Sequence, residues 1–174
     1  MLFQVTDIEK KKAKVPHDLF LVNMIGNHIL MFVSTLGLAT SWIWPLFLVP
    51  IISILILSFT LWRGKRSLQS DPWYVACHWQ ITVKRSKLFI KVLLALVVVV
   101  ILAWYAYTQL GWMKEAVYAF AFGLGLFPIM VTVLVLIIME SESLHSTNQG
   151  KLPDWIVERY PNPQAQVIPE PSAI

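Results

Sequence analysis

The stretch "LFLVNMIGNHILMFVSTLGLATSWIWPLFLVPIISILILSFTLW" (Leu19 to Trp62) runs for 44 residues without a single Asp, Glu, Lys or Arg. A helix needs ~20 apolar residues to cross a hydrocarbon core of ~30 Å, so this run holds two crossings and has to break once. "TSWIWP" (Thr40 to Pro45) supplies the break, because proline fits the opening turn of a helix but not its interior. Spans of about 19–39 and 45–62 follow. Trp42, Trp44 and Trp62 fall at their ends, where amphipathic rings favour the headgroup level.

Two more spans lie beyond. "LFIKVLLALVVVVILAWYAYTQ" predicts a third crossing over about 88–109, with Lys91 snorkelling from its first turn. A fourth covers about 116–139, with Pro128 as a kink. In it Ala119 with Gly123, and Ala121 with Gly125, form small-xxx-small pairs that favour close helix approach. The chain is 57% hydrophobic and only 14% charged, with a mean hydropathy of +0.64, which suits a lipid-embedded protein. The expected fold is an all-α integral membrane protein with four transmembrane helices. Its parts are a basic N-terminal segment (1–18), a transmembrane domain (19–139) interrupted by a cytoplasmic segment (63–87), and a tail (140–174) with a Pro-rich end. The first apolar run far exceeds a signal-peptide core, so an uncleaved chain is expected.

Orientation follows from the basic residues. Thirteen of the fourteen Lys and Arg residues lie in the N-terminal segment, around 63–91 or in the tail, and only Lys114 lies on the opposite side. By the positive-inside rule both termini and the middle segment are cytoplasmic (N-in/C-in), in a bacterial inner membrane. With two short turns outside, a receptor for an external ligand is excluded. The excess of four positive charges reflects topology rather than nucleic-acid binding, since the basic residues flank apolar segments. A single cysteine, Cys77, rules out an internal disulfide and any Cys-pair metal site.

On the cytoplasmic side, Asp71-Pro72 signals a helix start, with the helix running from about Trp73. On a wheel, Gln80, Lys84, Lys87 and Lys91 share a face beside Val75, Trp79, Val83 and Ile90. The segment 72–91 reads either as an amphipathic helix on anionic inner-leaflet lipids or docking a partner, or as a plain extension of the third span. Trp73, Trp79, Lys84, Arg85, Lys87 and Trp155 are the interaction candidates. Glu140 and Glu142, at the end of span four, oppose the helix dipole, and Glu140 or Glu142 is expected to pair with the Arg63, Lys65, Arg66 cluster. "LPDWIVERY" suggests a short helix capped at Asp154, with Trp155, Ile156 and Tyr160 available for docking. The prolines at 161, 163, 169 and 171 predict an extended or disordered end, in which "VIPEP" could serve as a handle for a partner.

No phosphate loop, nucleophile elbow or H-E-x-x-H pair is present, and no Asp or Glu falls within a span, which disfavours an enzyme or an ion-coupled transporter. His17, His78 and His145 read as surface histidines. His28 is the candidate cofactor residue: as a haem ligand it would need a second imidazole at similar depth. Met24, His28 and Met31 share a helical face, and with Met130 they form a soft ligand set suited to Cu(I). Asn23, Asn27, Ser34 and His28 form a polar face that should turn inward as hydrogen-bonding glue between spans. The expectation for function is an accessory, assembly or scaffold subunit of a larger membrane complex, contacting the bilayer and other membrane subunits. A haem- or copper-handling protein built on His28 is the alternative.

Overall fold

The computed structural model describes residues 1–38, 41–42 and 44–169. Two short strands, β1 (Leu2–Phe3) and β2 (Val167–Ile168), pair antiparallel. Between them run four helices long and apolar enough to cross a membrane: α1 (Asp7–Leu38), α2 (Trp44–Ser70), α3 (Trp73–Gln109) and α4 (Lys114–Gln149). A short helix, α5 (Asp154–Arg159), precedes β2. The expected break at 40–45 falls partly on Thr40 and Ile43, and the end of the first span on Ala39; these lie outside the described residues, as does the "EP" of "VIPEP".

The helices exceed the expected spans, and local chemistry says why. α1 starts at Asp7, well before the apolar run, because Thr6 and Glu9 form a capping box that satisfies the first free N–H groups. Pro16 is accommodated inside it, and Val22–Met31 widens into π-helical geometry. α2 opens with a 3₁₀ turn at Trp44–Phe47 and runs to Ser70, with Pro50 in the early turns of its α-helical part. Asp71 then adopts an extended conformation before Pro72, and α3 begins at Trp73 as its Asp-Pro start signal predicts. At 37 residues α3 is on the order of 55 Å long, nearly twice a ~30 Å hydrocarbon core. Gly111, at φ +67°, makes the turn into α4. In α4 a π-helical stretch, Ala121–Leu126, sits just ahead of Pro128, so the helix widens where the proline ring would crowd the preceding turn.

The chain divides into two compact units, residues 1–86 with 137 onward, and residues 87–136. In the second unit, a Cβ on Gly125 would lie 2.9 Å from Leu96 Cδ1, so α3 and α4 approach closely there. Gly123 has nothing within 4 Å. Of the two glycines in these pairs, Gly125 is the one that meets a neighbouring helix closely.

The first unit has a core at its polar end built from Phe3, Ala13, Tyr74, Val75, Cys77, Trp79, Ile81, Leu152 and Ile156. The N-terminal segment, the start of α3 and the tail therefore lie together. Phe3 stacks edge-on against Trp73, Trp73 Nε1 donates to the Tyr160 carbonyl at 2.6 Å, and the Met1 amino group donates to the Leu152 carbonyl at 3.0 Å. Gly150, at φ +77°, sits where a Cβ would be 2.8 Å from the Phe3 carbonyl oxygen, which only glycine permits. The end of the tail, expected to be extended or disordered, is extended at Val167–Ile168 and adds β2 to this assembly. Gly64 of α2 meets α3 so closely that a Cβ there would lie 2.2 Å from Val83 Cγ2.

Candidate functional site

Two buried polar groups distinguish the first unit. One lies within the apolar run. Asn23 and Asn27 are buried on α1 and face α2: Asn27 Nδ2 donates to the Val49 carbonyl at 2.9 Å and to Asn23 Oδ1 at 3.2 Å, and Asn23 Nδ2 donates to Ser53 Oγ at 3.4 Å. His28 Nε2 is 2.8 Å from the same Ser53 Oγ. Because Ser53 accepts from Asn23, its own proton is free to point at the imidazole. Ser34 does not join: it is exposed and donates to the Leu30 carbonyl one turn back. The contiguous polar face splits because π-helical geometry across Val22–Met31 changes the angular step on which the wheel was drawn.

The second group lies at the polar end and is ionisable. His17 on α1, His78 on α3 and Glu140 on α4 are each 0% exposed. His17 Nδ1 is hydrogen-bonded to Glu140 Oε2, and His17 Nε2 is 2.8 Å from His78 Nδ1. Arg85 places NH1 3.2 Å from the same Glu140 oxygen. Thr82 Oγ1 stands 3.3 Å from His17 Nδ1, and Thr147 Oγ1 stands 3.3 Å from His78 Nδ1 while donating to the Ser143 carbonyl. The Tyr74 ring meets the His78 ring edge-on, and its hydroxyl donates to the Thr147 carbonyl. Three helices that are far apart in sequence thus supply one carboxylate, two imidazoles and one guanidinium.

Electrostatics follow from burial. Loss of water holds His78 well below the usual imidazole value, and the neighbouring His17 and Arg85 push it the same way. His78 is therefore neutral. Burial raises the Tyr74 phenol above its ordinary range and pushes the Cys77 thiol up to about 12, so Cys77 is an inert packing thiol. Among the described residues, His78 Nε2 and Glu140 Oε1 have no hydrogen-bond partner.

These positions correct three sequence expectations. His17 and His78 are core residues rather than surface ones; only His145 is exposed. Glu140 pairs with His17 and Arg85, not with the Arg63 to Arg66 cluster. Arg63 is instead held by Asp71, with NH1 2.8 Å from Oδ2, and lies over the Trp79 ring; Arg66 covers Trp62. Asp154 is the first residue of α5 rather than its cap, Pro153 holds the cap position, and Ile156 is buried.

The interaction candidates divide. Trp79 is 3% exposed inside the polar-end core, and Trp73 is half-buried against it. Nearly every residue from Tyr74 to Val83 is buried within the same chain, α2 as well as the N-terminal segment and the tail packing against this stretch. Lys84 lies 3.7 Å above the ring of Trp155, Arg85 serves Glu140, and Lys87 is exposed in the other unit. Of the copper set, Met24 is buried beside the asparagines and Met31 is half-buried, while Met130 belongs to the second unit, 48% exposed.

Nor does the ionisable group form a metal centre. His17 offers opposite ring nitrogens to its two neighbours, so it bridges them and cannot point one nitrogen at an ion shared by all three. Two imidazole nitrogens 2.8 Å apart are also too close to flank a metal bound at ~2.0–2.1 Å from each, unless the angle at the metal were far below tetrahedral. Among the described residues no three His, Cys, Asp or Glu side chains are placed to hold a metal ion. The arrangement suits proton sharing and charge pairing. No family model, no curated protein and no solved structure matches this chain.

Proposed function

We propose that this multi-pass membrane protein is a non-catalytic accessory, assembly or scaffold subunit of a larger membrane complex, set in a bacterial inner membrane with both termini in the cytoplasm. The observation that carries this reading is the construction of the polar end. The N-terminal strand, the first turns of α3 and the whole tail to β2 are interlocked into one small body on the membrane helices, held by a buried core and by main-chain pairing. Such a body is a preformed platform, which suits docking because little chain entropy is lost on binding. Trp155, with Lys84 above it, lies on its exterior. The basic bias supports the cytoplasmic placement, and exposed Lys65, Arg66, Lys87 and Lys91 are suited to anionic headgroups.

The test is purification of the tagged chain from its native membranes in mild detergent, followed by mass determination. Membrane subunits recovered in fixed stoichiometry, and lost with Trp155→Ala or Lys84→Glu, would support the reading. A monodisperse chain without partners under conditions that preserve known complexes would contradict it. The competing reading is haem or copper held through His28, whose Nε2 is engaged with Ser53. An absorption spectrum and metal analysis of the same preparation decide it.

A further inference from the structure

We propose that Glu140, His17 and His78 form a proton-loading chain, in which a proton accepted at His78 Nε2 is stored on Glu140 by a shift of both imidazole tautomers. This stands apart from what the protein assembles with.

The argument begins with charge. Glu140 ionised beside Arg85 leaves a buried group of zero net charge if both imidazoles are neutral, and an uncompensated buried charge is strongly disfavoured. In that resting state the carboxylate accepts from His17 Nδ1–H. His17 Nε2 then carries a lone pair and accepts from His78 Nδ1–H, with Thr147 Oγ1 as a second acceptor. Only one nitrogen remains, His78 Nε2, which carries a lone pair. Of the four imidazole nitrogens it is the one that has no hydrogen-bond partner among the described residues, although His78 is fully buried.

A proton delivered to His78 Nε2 has a complete path. The new N–H bond forms there, the His78 Nδ1–H bond breaks as its proton passes to His17 Nε2, and the His17 Nδ1–H bond breaks as its proton passes to Glu140. One proton enters and one carboxylic acid results. Both rings end neutral in the opposite tautomer, with His17 Nε2–H now donating to His78 Nδ1. Burial, which holds His78 neutral, drives the proton onward. The groups facing the chain are His17 on α1, His78, Arg85 and the Tyr74 hydroxyl on α3, and Glu140 on α4; the Glu9 charge on α1 also reaches Tyr74. Loading leaves Arg85 as the one charge of the group. Its side chain is 14% exposed and so has a way to solvent. Proton uptake is thereby coupled to release of the α3–α4 tie.

The experiment uses the full chain in lipid nanodiscs, acidified from pH ~8 to ~4.5 across the ordinary histidine range. Infrared difference spectra should gain a carbonyl band of a buried protonated carboxyl that vanishes in Glu140→Gln and persists in Glu142→Gln. In the natural chain with ¹⁵N-labelled histidine, which needs no variant to fold, the N–H of His17 should move from Nδ1 to Nε2 with no imidazolium signal. Absence of a Glu140-dependent carboxyl band, or an imidazolium at His17 or His78 beside a carboxylate that stays ionised, would overturn the proposal.

Discussion

The two buried polar groups of the first unit solve one problem in different ways. Around Asn23, Asn27 and Ser53 the groups are neutral, come from α1 and α2, and share donors and acceptors so that losing one leaves its neighbours other partners. Around Glu140 the groups are ionisable, come from three helices, and converge on a single carboxylate oxygen. The first arrangement is tolerant glue. The second is brittle, because removing its one acid leaves the buried His17 donor and the mostly buried Arg85 guanidinium without their shared acceptor.

The largest effect should therefore come from Glu140. Breaking a buried charge pair by removing one partner costs ~3–5 kcal/mol, so Glu140→Ala is expected to lose about that much in an unfolding titration in mixed micelles. A competing account would assign the rigidity of the polar end to close packing of α2 on α3. Gly64→Ala tests this: Val83 must move to admit the new methyl, at a cost of ~1–3 kcal/mol, and Val83→Ala in the same chain should restore most of it. If Gly64→Ala exceeded Glu140→Ala, packing rather than charge would dominate.

Legibility in the sequence divides along the same line. The four long apolar helices could be read from uncharged runs, and the inward turn of Asn23 and Asn27 from their spacing on one helix, because both are properties of neighbouring residues. "TDIE" at 6–9 carried a capping-box signal that would have moved the start of α1 to Asp7. The Glu140 group could not be read that way. His17 and Glu140 are 123 residues apart, and His17 and His78 are 61 apart, so no periodicity relates them. One clue was present: an acid at the end of an apolar span calls for a compensating cation once it is buried, although the helix dipole is not the reason, since α4 runs on to Gln149. Seven basic side chains lie over 63–91 on the same expected side, and nothing in the sequence favoured Arg85 over the Arg63 cluster. In the structure Asp71 occupies Arg63 at close range.

Acidity should act on the Glu140 group through His78. His78 is held below its unfolded value, so the unfolded chain takes up a proton near pH 6.5 that the folded His78 refuses. Its contribution is fully present above pH ~6.5 and is lost as pH falls below that, by up to ~1.4 kcal/mol per pH unit. Stability measured at a series of pH values should show this decline, and His78→Gln should flatten it. A decline unchanged in His78→Gln would assign the acid sensitivity to other groups.

The smallest effect is expected at Asn27. Interhelical hydrogen bonds within membranes contribute ~0.6 kcal/mol on average and at most ~2, so Asn27→Leu should cost under ~1 kcal/mol by the same titration. A loss as large as that of Glu140→Ala would mean that the neutral group is not tolerant after all.

The most direct test of the account is a double-mutant cycle on Arg85 and Glu140, with Arg85→Gln, Glu140→Gln and the pair combined, read as unfolding free energy. Two groups sharing one buried carboxylate oxygen should be coupled, so the double variant is expected to be more stable than the sum of the single losses by ~1–3 kcal/mol. Losses that add to within ~0.5 kcal/mol would contradict it, because independent residues do not hold a common charge.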